Sequence, residues 1–188
     1  MTAPIVFPAA SRILHWLMAA MILTMLFIGV GMVTFPENYH WMLAVHRPLG
    51  AAILVLAALR LLNRLFNPPP ALPPDMPGLM RALAHASHIV LYVLMFAVPL
   101  AGWAALSAGG YPIVLYGSLR LPPILPHSAP LYAVVHTAHV VLALLLFATF
   151  LAHLGAALAH ALVFRDGVFE QMSAFRAATR RHRDTPVQ

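Results

Sequence analysis

Four long apolar runs constrain this chain more than any other feature. They extend from about Ser11 to Val33, Ala44 to Leu65, Leu79 to Ser107 and Leu131 to Phe164. A helix needs about 20 residues to cross the hydrocarbon core of a bilayer, and each run meets that length. Inside hydrocarbon every backbone N–H and C=O has to be paired within the protein, so a single apolar run crosses as an α-helix. The predicted fold is all-α: an integral membrane four-helix bundle. Composition agrees, because the 188 residues are 62% hydrophobic and only 9% charged, with mean hydropathy +0.85, whereas a soluble domain is nearer a quarter charged. The first run is too long for a signal-peptide core and lacks a small-residue cleavage site ahead of a soluble domain, so it reads as a retained helix. The chain has no cysteine, which removes disulfides and thiolate metal sites.

The connections are equally legible. "NPPPALPPDMPG" (67–78) stops any helix, since proline lacks the donor and clashes with the preceding turn. Pro99 is expected to kink the third helix. Residues 109–130 form a loop with apolar character of its own, suited to the membrane interface. The net charge of +6 comes from arginine, with no lysine. The arginines lie mostly at segment ends and are not interleaved with stacking aromatics on a polar surface, so no nucleic-acid partner is expected. Arg12, Arg60, Arg64, Arg81, Arg165 and the tail "RAATRRHR" fall on one side, against Arg47 and Arg120 on the other. The positive-inside rule then puts both termini in the cytoplasm. Arg60 and Arg64, at the end of the second helix, are positioned to snorkel toward lipid headgroups. The end of the chain reads as a short amphipathic helix ("GVFEQMSAF") followed by a disordered tail. No internal repeat or second domain is visible.

The apolar runs nevertheless carry histidine. "HVVLALLLFATFLAHLGAALAH" (139–160) contains His139, His153 and His160. At ~100° and ~1.5 Å per residue, His139 and His153 point within about 40° of each other and lie about 21 Å apart on one helix face. Of the eleven histidines, His40, His127 and His182 fall in loops or the tail and need no explanation beyond solvated surface. Topology sorts the rest into two layers. The outer layer holds His46 with His139 or His136. The inner layer holds His15, His85, His88, His153 and His160. A single intramembrane histidine is as often a hydrogen-bonded partner within a bundle as a functional group, but seven or eight at matched depths are harder to account for that way. Haem iron takes axial imidazole, and two trans histidines saturate it for electron transfer. Two layers of paired histidines therefore suggest two b-type haems between the helices, neither covalently attached because Cys-x-x-Cys-His is absent. His136 lies seventeen residues from His153, an offset of roughly 100°, so His139 is the better outer candidate. Spacing alone leaves the partner of His153 open between helices 1 and 3. Gly29, Gly31, Gly50, Gly155, Ala156 and Ala157 would give a flat porphyrin clearance, although small residues also simply let helices approach. A metal transporter is a poorer reading, because the ten methionines show no Met-x-x-Met clusters and suit helix packing.

The segments "SRILHWLMA" (11–19), "VHRPLGAAILVLAALRLLNRL" (45–65), "LAHASHIVLYVLMFAVPLAGW" (83–103) and "HLGAALAHALVFRDGVFEQM" (153–172) resemble the four helices of the bacterial cytochrome b-561 family. The likeness is strongest to its small stand-alone di-haem members, which include a superoxide oxidase. It implies one di-haem domain over residues 1–172 and a cytoplasmic tail over 173–188, in the bacterial inner membrane. It further implies that His15, of the "HW" pair, and His153 hold the cytoplasmic-side haem, while His46 and His139 hold the periplasmic-side haem. The family often has His-Glu at the outer helix 4 ligand; here the pair is His139-Val140, with His136 upstream. His88 and His160 match positions around ubiquinone. The activity implied is transmembrane electron transfer that oxidises periplasmic superoxide to oxygen and reduces the ubiquinone pool. Arg47 and Arg120 would then form a cationic entrance for superoxide, or pair with haem propionates or phospholipid. Related cytochromes instead anchor a periplasmic dehydrogenase, hydrogenase or soluble cytochrome and exchange its electrons with quinone.

Overall fold

The computed structural model describes residues 6–74 and 76–173. Its helices are α1 (Ala9–Thr34), α2 (Tyr39–Phe66), α3 (Gly78–Ala108), α4 (Ala129–Ala159) and the short α5 (Val168–Ser173), with strands β1 (Val114–Tyr116) and β2 (Leu119–Arg120) between α3 and α4. A 3₁₀ turn, Pro36–Asn38, precedes α2, and a π-helical turn, His160–Phe164, follows α4. Four helical segments are long and apolar enough to span a bilayer. Their outward faces agree with that role: Phe27, Val55, Val93 and Leu144 stand exposed around the bundle, as lipid-facing side chains do.

Several boundaries have local causes. Helix α2 begins at Tyr39, five residues ahead of the Ala44 expected from hydropathy. Pro36 opens the tight turn, and Trp41 Nε1 donates to Asn38 Oδ1 at 3.2 Å, fastening the first turn of α2 to it. Helix α4 begins where Ser128 Oγ accepts the Leu131 N–H at 3.4 Å, a hydroxyl cap on an otherwise unpaired donor. The apolar loop before α4 contains a small antiparallel hairpin, where the sequence alone predicts no regular structure. Gly117 turns it with φ 54°. Trp103 Nε1 donates to the Pro122 carbonyl at 2.9 Å and Ser107 Oγ accepts from Ile124 N at 3.1 Å, so the loop is tied down on α3. At the opposite end Phe7 N donates to Gln171 O at 3.0 Å and Trp16 Nε1 to Met172 O at 3.2 Å, closing α5 against the start of α1. These two ends of the bundle are hereafter the far end, with the hairpin, and the near end, with α5. The part of the basic tail beyond residue 173 lies outside the described residues.

The closest helix packing is α1 on α2 and α3 on α4, so the bundle is two helical hairpins meeting along a looser seam. A thin apolar waist joins them at mid-depth: Met18 and Ile22 from α1, Ile53, Leu56 and Ala57 from α2, Leu94 and Met95 from α3, and Leu146 from α4. On α4, the helix that carries a histidine of each couple, Leu146 lies midway between His139 and His153. One polar tie also crosses between helices at the near end, where Asn63 Nδ2 donates to Ser11 Oγ at 2.7 Å. Interhelical hydrogen bonds in membranes contribute about 0.6 kcal/mol on average. A double-mutant cycle of Ser11→Ala and Asn63→Ala, followed by unfolding in mixed micelles, is therefore expected to return a coupling of about that size and not of several kcal/mol.

Candidate functional site

The imidazoles meet across the seam. At the far end His46 from α2 and His139 from α4 have ring centroids 6.1 Å apart, at an interplanar angle of 73°. At the near end His15 from α1 and His153 from α4 are 6.3 Å apart at 76°. His88 from α3 approaches the same His153, with ring centroids at 5.3 Å. The structure thus brings His15, His88 and His153 into one group. His136 is instead exposed and lies against Tyr132 at 5.4 Å. His85 is exposed too, its Nδ1–H donating to the Arg81 carbonyl at 2.8 Å, and it does not join the near group. His160 is buried in the π-helical turn and donates from Nδ1 to Asp166 Oδ2 at 2.7 Å. Asp166 Oδ1 also accepts the Val168 N–H at 3.2 Å, so one carboxylate holds His160 and starts α5. Arg120 lies exposed in β2 and lines a far-end cavity of about 450 Å³ with Ser107, Tyr111 and His127. Arg47 has its Nε buried without a hydrogen-bond partner.

The hydrogen bonds behind the rings decide which nitrogens are available. His139 Nδ1–H donates to the Val98 carbonyl at 2.9 Å. That bond fixes the tautomer and leaves the Nε2 lone pair for a metal. Gly102 makes the approach possible, since a Cβ there would lie 3.1 Å from His139 Cε1 and Nδ1. His46 Nδ1 is buried with no partner. Gly29 stands behind His46, where a Cβ would be 4.0 Å from its Cε1. The other glycines singled out in the sequence play different parts: Gly31 and Gly50 lie against Met42 and Met25, and Gly155 faces open space.

Arg60 departs from the expected snorkelling. Its Nη1 donates to His15 Nδ1 at 2.8 Å and its Nε to Tyr92 Oη at 3.2 Å. Two acceptors inside the bundle hold it inward. Arg64 lies over the Tyr92 ring at 5.8 Å, beside a cavity of about 380 Å³ lined by His85, His88 and Ile89. Sequence reasoning did not pick out Val98, Gly102, Tyr92 or Asp166. Gly102 had a usable signal, a glycine three residues past Pro99 in an otherwise unbroken helix. A backbone carbonyl such as that of Val98 leaves no residue-type signature at all.

These features fit b-type haem. A metal–imidazole bond is about 2 Å long and a ring nitrogen lies about 1 Å from its ring centre, so two imidazoles that held one metal between them would have centres about 6 Å apart. Both facing pairs have that separation.

An apolar bundle that spans the bilayer and faces imidazoles toward each other at two depths belongs to the class of transmembrane b-type cytochromes. A family model described as prokaryotic cytochrome b561 matches residues 6–174. The chain is 28% identical to cytochrome b561 homolog 2 of Escherichia coli (strain K12) over 165 residues, covering 86% of this chain and 88% of that protein. It is 30% identical to the probable superoxide oxidase CybB of Yersinia pestis over 161 residues, covering 85% and 90%. With cytochrome b561 homolog 1 of Escherichia coli (strain K12) the identity is 27% over 168 residues, covering 85% and 92%. The chain belongs to the prokaryotic cytochrome b561 family, whose members are haem-binding electron-transfer proteins of bacterial membranes.

Gly102→Ala is expected to push the His139 ring by a few tenths of an ångström and weaken its bond to Val98. Purified G102A should show lower haem content or a displaced α-band for one haem, whereas Gly155→Ala and His136→Ala should match the unaltered protein in a reduced-minus-oxidised spectrum.

Proposed function

We propose that the chain, as one domain over residues 1–172 with a tail over 173–188, carries electrons across the bacterial inner membrane between two b haems. His15 and His153 would hold the near haem, and His46 and His139 the far haem. The single observation that carries this reading is the pair of facing imidazole couples, 6.1 and 6.3 Å apart, at opposite ends of one helix bundle. Bound haem iron supplies reversible one-electron storage. The chain's own residues do the rest. Val98 orients His139, the apolar waist keeps water out between the layers, and Arg60 places a cation beside His15. The near end faces the cytoplasm and the far end the periplasm, an orientation supported by the arginine distribution.

The substrate reading follows the relative named as a probable superoxide oxidase. In balance, two superoxide anions at the far side each lose one electron and leave as oxygen, while one ubiquinone at the near side gains two electrons and two protons. Arg120 and Arg47 are the cations available to attract the anion at the far end, or to pair with propionates. His88 and His160 are the imidazoles available at the near end to hydrogen-bond a quinone and pass protons. The His160–Asp166 bond and the cavity beside His88 support those roles. A second reading has its own support: Tyr116 and Leu119 of the hairpin are 85% and 59% exposed, a surface on which a periplasmic dehydrogenase, hydrogenase or cytochrome could dock and exchange electrons with the quinone pool.

Protohaem per polypeptide should be two. His46→Ala or His139→Ala should each lower it to one, as should His15→Ala or His153→Ala, with the retained haem differing between the two sets. Superoxide generated in the presence of a short-chain ubiquinone should yield quinol catalytically. Haems that superoxide leaves oxidised would move the assignment to the docking reading.

A further inference from the structure

The two imidazole layers differ in charge. At the far pair the hydrogen-bonding surroundings are neutral, His139 Nδ1–H meeting the Val98 carbonyl and His46 Nδ1 having no partner, and the Arg47 charge acts on His46 only through space. Arg47 follows His46 in the chain but is not hydrogen-bonded to either ring. Behind the near pair stands a guanidinium in direct contact, with Arg60 Nη1 2.8 Å from His15 Nδ1. Tyr92 anchors it through Oη at 3.2 Å and collects a second guanidinium, that of Arg64, 5.8 Å from its ring centroid. Arginine is charged at every accessible pH. Among the described residues, no carboxylate forms an ion pair with Arg60; Asp166 is engaged with His160. An uncompensated cation in a low-dielectric bundle acts strongly over a few ångströms.

We propose that Arg60 is the positioning residue that makes the near site the electron acceptor of the pair, and so sets electron flow from the far end to the near end. This rests on the two-haem reading above. Adding an electron beside a fixed cation is favoured, so the cation stabilises the reduced state of whatever His15 ligates. The effect does not depend on one hydrogen bond. If ligation through Nε2 leaves the proton on Nδ1, Arg60 ceases to donate there but is still held at the same place by Tyr92. The half-buried Arg60–Tyr92 unit thus gives the bundle an electrical polarity that its two similar histidine couples lack.

The experiment is a redox titration of the purified full-length holoprotein, read by haem absorbance, with low-spin EPR signals recorded on the same samples. The unaltered protein should titrate in two steps, and an H139A background, which keeps only the near haem, should retain the higher one. Arg60→Gln should lower that step by a tenfold or greater change in its reduction equilibrium, about 59 mV for one electron, and leave the lower step in place. Arg60→Lys should restore most of the shift. Tyr92→Phe, which loosens the anchor but keeps the charge, should give a smaller shift of the same sign. EPR signals typical of two bis-imidazole haems must persist in each variant compared. Two intact haems with the higher step unmoved in R60Q, or with both steps displaced equally, would overturn the proposal. If R60Q does not retain haem, the same comparison is made with R60K and Y92F, and no movement of the near step in Y92F counts against it. Fewer than two haems in the unaltered protein would instead defeat the two-haem reading before any variant is compared.

Discussion

Everything in this fold depends on the bilayer's refusal to hydrogen-bond backbone. With no water in the hydrocarbon, each crossing segment has to satisfy its own N–H and C=O groups, and only a helix does that within one segment. The bundle follows from this, and so does the cost of departing from it. Pro99 in α3 and Pro48 in α2 each remove a donor from a helix ladder near the far-end histidines. Polar side chains are likewise confined. Asn63, Ser11, Arg60 and Tyr92 lie toward one end of the span and meet each other there.

The imidazoles of each couple face each other across the seam between two hairpins. The closest packing is α1 with α2 and α3 with α4, while the couples His15–His153 and His46–His139 span the gap between those two units. The apolar waist separates the two couples and pins their depth. Function in this family is electron transfer through haem, and the geometry suits it: two histidine couples on one helical frame, with α4 contributing a histidine to each.

The near end is chemically richer than the far end. It gathers three imidazoles, two arginines and a tyrosine hydroxyl, and the His160–Asp166 bond closes the π-helical turn just beyond. π-turns are uncommon and recur at functional positions. The far end offers a carbonyl, glycines, an exposed hairpin and the guanidinium groups of Arg47 and Arg120, neither of them hydrogen-bonded to an imidazole of the couple.

The sequence by itself determined the fold class and most of the placement. Apolar run length fixed four crossings, the proline-rich segment fixed the break between the second and third, and the fourteen-residue spacing fixed His139 and His153 to one face of α4. Those are one-dimensional properties: each depends on a single helix and its solvent. The early start of α2 and the hairpin before α4 escaped, because they rest on side-chain hydrogen bonds from Trp41, Trp103 and Ser107 that hydropathy does not register. Only tertiary structure decided which histidines meet, that His153 faces both His15 and His88, that a carbonyl and a glycine stand behind His139, and that Arg60 turns inward. The physical reason is that these are contacts between helices. They depend on the rotation and depth of one helix against another, which packing of the whole bundle sets and no single segment encodes.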